Sequence, residues 1–180
     1  MRTSNIDASC ALVASEKGHT EALGMLIEAG GKELLMLTEK VGLSCAHTAS
    51  MSGDSGALGM LIEAGGKELL MLTCTDGFSC AHYASLRGHS KALEMLLEAG
   101  SKELLMLTSS SGELCAYMAS LKGHTEALRL LIEAGGKELL MLTKKDGVSC
   151  AHVVSRQGHT EALQVLVEAG GKYLLISISS

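Results

Sequence analysis

The sequence predicts an all-α solenoid of stacked helix-turn-helix units with protruding hairpin fingers, and three observations predict it. Cys10, Cys45, Cys80, Cys115 and Cys150 recur at intervals of 35 residues, a period at which units too small to bury an apolar face alone do so by stacking on neighbours. The phrase GGKELLMLT returns almost verbatim in four units, with GSKELLMLT from Gly100 as its one small variation. Within each period, apolar residues fall at helical spacing twice, and a glycine stops each run.

The third unit shows the elements in order. Ser79 stands as N-cap of a first helix running to about Arg87, and Gly88 supplies the permissive backbone that ends it. A second helix follows from about Ser90 to Ala99, with Ala92, Leu93, Leu96 and Leu97 on one face and Gly100 as its C-cap. Helices of about ten residues are marginal alone in water, so the stability must come from stacking. In the KELLMLT segment, Leu and Met are expected to tuck under the helices while Lys and Glu face water in an extra helical turn. The polar segments EKVG, CTDG, SSSG and KKDG then suit tight reversals that project from the stack as fingers. The chain reads as a single domain, 1–180, with units of about 1–38, 39–73, 74–108, 109–143 and 144–180.

These motifs carry a resemblance. DGFSCAHYAS, RGH and MLLEAG, recurring in order and in register, resemble the ankyrin repeat, and the likeness covers essentially the whole chain. It implies paired antiparallel helices, hairpin fingers, and a concave groove formed by the fingers and the first helices. It also implies that Ser44 with His47, Ser79 with His82, and Ser149 with His152 bridge the turn and the first helix. The chain departs from the pattern in lacking proline altogether, with cysteine at the first helical position. Its unit of 35 residues exceeds the family's period of about 33, and the surplus is placed at the Lys-Glu turn. The fourth unit has Leu114 and Tyr117 at the serine and histidine positions, the first has Leu12, and the second has Asp54 in place of the second histidine. A local loss of hydrogen bonding is expected at each.

Composition excludes several function classes. A net charge of -5, with Lys144 and Lys145 as the densest basic spot, argues against a nucleic-acid partner. No apolar run approaches the roughly 20 residues of a membrane span, and MRTSNIDASC lacks the pattern of a signal peptide, so a soluble, cytoplasmic protein is expected. Cys-x-His invites a metal reading, but residues two apart on a helix point about 200° apart. Stacked helices about 8 to 10 Å apart also separate the repeated cysteines too widely for one ion or for disulfides. The cysteine column is therefore read as small apolar filler, with no metal and no cofactor expected. Repetition of the Ser/His pair likewise favours structure over catalysis, which needs one asymmetric constellation; no enzyme is expected. His19, His89, His124 and His159 read as caps or inter-unit hydrogen bonds. Met25, Met60, Met95, Met36, Met71, Met106 and Met141 read as core.

What varies between copies is free of the demands of the shared stack. By resemblance, the variable finger residues and the variable first-helix residues map onto the groove. Phe78, Tyr83, Leu86 and Arg87 are the candidate anchors for a protein or peptide partner, because aromatic and arginine side chains around a desolvated centre are what binding hot spots prefer. Met51, Met118, Leu121 and Lys122 are the candidate flanks. The expected function is a non-enzymatic protein-protein interaction module. The alternatives are a structural fragment of a longer array, self-associating end to end through uncapped terminal units, and an engineered consensus-like repeat scaffold.

Overall fold

The computed structural model describes residues 9–176. Its helices are α1 Cys10–Lys17, α2 Thr20–Leu35, α3 Cys45–Ser52, α4 Ser55–Leu70, α5 Cys80–Arg87, α6 Ser90–Leu105, α7 Cys115–Lys122, α8 Thr125–Gly135, α9 Lys137–Met141, α10 Cys150–Gln157 and α11 Thr160–Ile176. No strand occurs among the described residues beyond two isolated bridges, Thr73 with Ser79 and Thr143 with Ser149. The short helices α1, α3, α5, α7 and α10 stack in one layer, the long helices α2, α4, α6, α8 and α11 in a second, and each short helix packs on the long one that follows it.

Alanine sets the first layer and leucine the second. Ala46, Ala81 and Ala116 are wholly buried, as are Ala49, Ala84 and Ala119, so neighbouring short helices approach with little between them. Leu58, Leu93 and Leu128 fill the space between layers, joined by Leu61, Leu96 and Leu131. Each such leucine contributes about 1.5–3 kcal/mol by leaving water. The equivalent Leu26 of the first unit is only partly buried, because no earlier layer covers it among the described residues.

The short helices start and stop as expected: Ser79 caps α5 from an extended backbone, and Gly88 closes it at φ 71°. The end of the long helix differs from expectation. Gly100 does not terminate α6, which runs to Leu105. In α2, α4 and α11 the helical path bends at the second glycine of the pair, Gly31, Gly66 and Gly171, with φ between 55° and 64° and ψ near -160°; at Gly136 the same geometry separates α8 from α9. Only glycine adopts this backbone region readily. The bend folds the KELL turn back under the layer, so that Leu69 and Leu70, like Leu104 and Leu105, are fully buried, as the sequence predicts for the leucines.

The methionines are a correction. Met25 is 72% exposed, Met106 42% and Met141 45%, while Met60 and Met95 are half-buried with their methyls over Gly24 and Gly59 of the preceding unit. These five lie at the margins of the layers, Met60 and Met95 each covering a glycine gap, whereas Met36 and Met71 are half-buried against the core as expected.

Candidate functional site

Each finger is a closed hairpin turn. The Glu39 N–H donates to the Leu43 carbonyl at 3.0 Å and the Gly42 N–H to the Glu39 carbonyl at 2.8 Å, with Gly42 at φ 81°, the arrangement of a three-residue hairpin loop with a bulge glycine. Cys74–Phe78, Ser109–Glu113 and Lys144–Val148 repeat it. The fingers are also joined to one another: Thr75 N–H donates to Val41 C=O at 2.9 Å, Ser110 to Asp76 at 2.8 Å and Lys145 to Ser111 at 3.2 Å. A continuous wall results.

The Ser/His pairs hold that wall to the helices. Ser79 N–H donates to His82 Nδ1 at 3.2 Å within a capping box, which leaves the proton on Nε2, and Nε2–H donates to the Glu113 carbonyl of the next unit at 2.9 Å. His47 does the same with Ser44 and the Phe78 carbonyl. Burial pushes both imidazoles below their usual range, His47 to about 4. Each Nδ1 also lies 2.8–2.9 Å from the serine hydroxyl of its own pair, so both ring nitrogens are engaged within the fold. The pairs thus bridge turn and helix as the resemblance implies, and also bridge unit to unit. In the last unit the Ser149 and His152 box forms, but His152 is exposed.

The second histidine column makes inter-unit bonds. Nε2–H of His89, His124 and His159 donates to the carbonyls of Met51, Leu86 and Leu121 at 3.1, 3.1 and 3.3 Å. The expected loss at Asp54 is corrected in part, since its carboxylate accepts from Ala57 N–H at 2.9 Å and caps α4. In the first unit Ser9 accepts from Leu12 N–H. At Leu114 the loss is real: no side chain caps α7, and packing replaces it, with Leu114 and Tyr117 buried and the Lys144 ammonium 5.3 Å from the Tyr117 ring centre.

The cysteines behave as filler. Cys45 and Cys80 donate weakly to the Leu35 and Leu70 carbonyls at 3.4 Å, and burial raises both thiols to about 12. Among the described residues, no cluster of His, Cys, Asp or Glu is arranged to hold a metal ion, and no helix is long and apolar enough to cross a membrane.

The candidate partner-binding residues divide into three groups. Phe78 and Tyr83 are half-buried and tilted against each other, with ring centres 6.0 Å apart; Phe78 also meets His82 and Tyr83 meets His47 edge-on. The Tyr83 hydroxyl lies 3.7 Å from the Cys74 sulfur, and burial, the thiol and the carboxylates of Asp76 and Glu39 hold the phenol well above its usual range. Met51, Leu86 and Leu121 are half-buried, while Arg87 and Lys122 are exposed. Met118 is the exception: it is 4% exposed and belongs to the core, so it offers no surface to a partner. Met51 and Arg87 share one open depression of about 380 Å³ with Leu12, Glu16, Glu39 and Leu43. Those last four were not candidates. Glu39 and Leu43 stand out as variable finger residues, but Leu12 and Glu16 join the surface only through stacking.

Comparison with known proteins agrees with this geometry. A family model described as ankyrin repeats (many copies) matches residues 107–167, and the helix pairs it reaches, α7 with α8 and α10 with α11, recur at 35-residue intervals in the preceding part of the structure. No curated protein matches the chain.

Proposed function

We propose that this ankyrin-repeat protein binds a protein or peptide partner in the groove between its finger wall and its short helices, without catalysing a reaction. Ankyrin repeats are in general protein-protein interaction modules. The observation that carries the groove is a contrast at one backbone position. The carbonyls of Met51, Leu86 and Leu121 are pinned unit to unit by histidines, yet their half-exposed side chains differ from those of Glu16 and Arg156 at the same register. A rigid frame with a variable, partly apolar lining suits recognition. Arg87 contributes a charged planar group beside it, and Phe78 and Tyr83 stiffen the finger base behind it.

Selection of peptides by display on the immobilised chain tests the reading. Bound peptides should lose at least about tenfold in affinity against M51A/R87A, the scale of a hot-spot loss, with helicity and melting nearly unchanged because neither side chain is buried. Alanine at Phe78 or Tyr83 would remove packing as well and is less informative. Peptides that bind M51A/R87A as tightly as the parent would remove the groove.

A second reading, end-to-end self-association, is favoured by Met25. Its equivalents Met60 and Met95 lie over a glycine of the preceding unit, whereas Met25 is 72% exposed. Light scattering across a wide concentration range decides it: a constant monomer mass excludes it, and a mass that rises with concentration and falls back in Met25→Lys supports it.

A further inference from the structure

Resting on the groove reading, we propose that the ligand is an amphipathic α-helix with apolar residues one heptad apart and acidic residues along one flank. Three features of the groove lead there. Met51, Leu86 and Leu121 form a stripe of one apolar side chain per unit, at a spacing fixed by the stacking of short helices, about 8 to 10 Å. An α-helix rises about 1.5 Å per residue, so about six or seven of its residues span one unit. A heptad therefore presents successive side chains to Met51, Leu86 and Leu121 with only about 20° of drift. An extended peptide, at about 3.3 Å per residue, advances three residues per unit, and three is odd, so alternate side chains would point away from the stripe.

Charge selects the flank. At the next position along the five short helices stand Lys17, Ser52, Arg87, Lys122 and Gln157. Lys17 is paired with Glu16 at 2.9 Å, but Arg87 and Lys122 are exposed and make no ion pair among the described residues. Arg87 borders the depression that also holds Met51 and Glu39. Of the finger carboxylates, Glu39 and Asp76 carry no ion pair among the described residues, while Glu113 is engaged by Lys144 at 3.7 Å. A helix lying in the groove thus meets the exposed Arg87 and Lys122 beside the stripe, with Glu39 sharing the depression of Arg87. Acidic residues next to its apolar ones pair with Arg87 and Lys122, and a basic residue fits beside Glu39.

Fluorescence anisotropy with the intact chain and three-heptad peptides tests this. Each peptide carries leucine at the first position of every heptad and glutamate, glutamine or lysine at the second, on an alanine-glutamine background. In low salt the glutamate peptide should bind about five- to tenfold more tightly than the lysine peptide, with glutamine between, as expected for a few exposed ion pairs. The gap should narrow as salt shortens the screening length, and R87E/K122E should invert it. A glutamate peptide broken by a central proline should bind much more weakly. Equal affinities, an unchanged order with R87E/K122E, or full binding by the proline peptide would each overturn the helical, acidic ligand. Display-selected peptides that depend on Met51 and Arg87 but are extended or indifferent to charge would leave groove binding standing and remove only this inference. A selection that yields no groove-dependent peptide would remove both.

Discussion

The Nε2–H of His82 donates to the carbonyl of Glu113 at 2.9 Å, so the residue that closes the capping box of one short helix also anchors the next finger. That arrangement requires a neutral ring, because Nδ1 is already an acceptor for the Ser79 N–H. Burial is the largest cause holding His82 below its usual range and His47 at about 4. The unfolded chain therefore binds more protons than the folded one below about pH 6.5. Full stability is present above that pH and is lost as pH falls toward 4. At about 1.4 kcal/mol for each tenfold change in proton affinity, His47 alone should remove about 2 kcal/mol between pH 7 and pH 5. Urea unfolding at the two values measures it. His47→Gln should be less stable at pH 7 and show a shallower dependence, and an equal slope in parent and variant would contradict the assignment.

The fourth unit tests the box by restoration. Leu114 holds the N-cap backbone at φ -98°, ψ 165°, close to the -92°, 171° of Ser79, so the chain is already shaped for a capping serine. Leu114→Ser alone should cost about 1–3 kcal/mol, since it removes a buried side chain and leaves a hydroxyl in its place. Tyr117→His alone should also destabilise, losing the contact with Lys144. Together they should cost less than the two separate losses added, by at least about 1 kcal/mol, because the imidazole can then reach the Val148 carbonyl, which corresponds to those of Phe78 and Glu113. A double-mutant cycle in urea measures the coupling, and additive losses would mean that no box forms there.

Repetition made much of this legible in the sequence. Four of the five short helices carry Ser at the N-cap and all five end at Gly in the left-handed region, and these signals are local, so Ser79 and Gly88 fall where expected. The leucines of KELL are also read correctly, because burial at a fixed period follows from stacking. What was not legible depends on atoms 30 or more residues away. That His82 reaches Glu113, or that Leu12 and Glu16 border the depression beside Met51, follows only when two units are placed side by side. Met118 was misplaced for a related reason. Its position varies among Thr48, Tyr83 and Val153, and variation suggests a free surface, yet Thr48, Met118 and Val153 are all buried and only Tyr83 is half-buried. The methionines mislead in the opposite sense, since periodicity marks contact with a neighbour's glycine as readily as it marks the core.

Gly66 separates backbone strain from crowding. It sits at φ 64°, ψ -165°, and a Cβ placed there would meet nothing within 4 Å. Gly66→Ala should therefore destabilise by about 1–3 kcal/mol through its dihedral angles alone. Thermal unfolding followed by circular dichroism reads the change. A neutral Gly66→Ala would show that the turn after the double glycine bends elsewhere without cost.

Thiol reactivity tests the packing of the short helices directly. Cys10 is exposed, whereas Cys45, Cys74, Cys80, Cys115 and Cys150 are buried, and burial raises Cys45 and Cys80 to about 12 and Cys150 to about 11. The thiolate is the reactive form, so exposure and ionisation act in the same direction. A chromogenic disulfide reagent at neutral pH should titrate one thiol at once in the folded protein and all six in guanidinium chloride. The slow class should react only as fast as the stack opens, so its rate should rise in Gly66→Ala, whose destabilisation loosens the neighbouring Cys80 layer. A second thiol reacting at the rate of Cys10 would mean that the short helices do not pack as closely as Ala46, Ala81 and Ala116 allow.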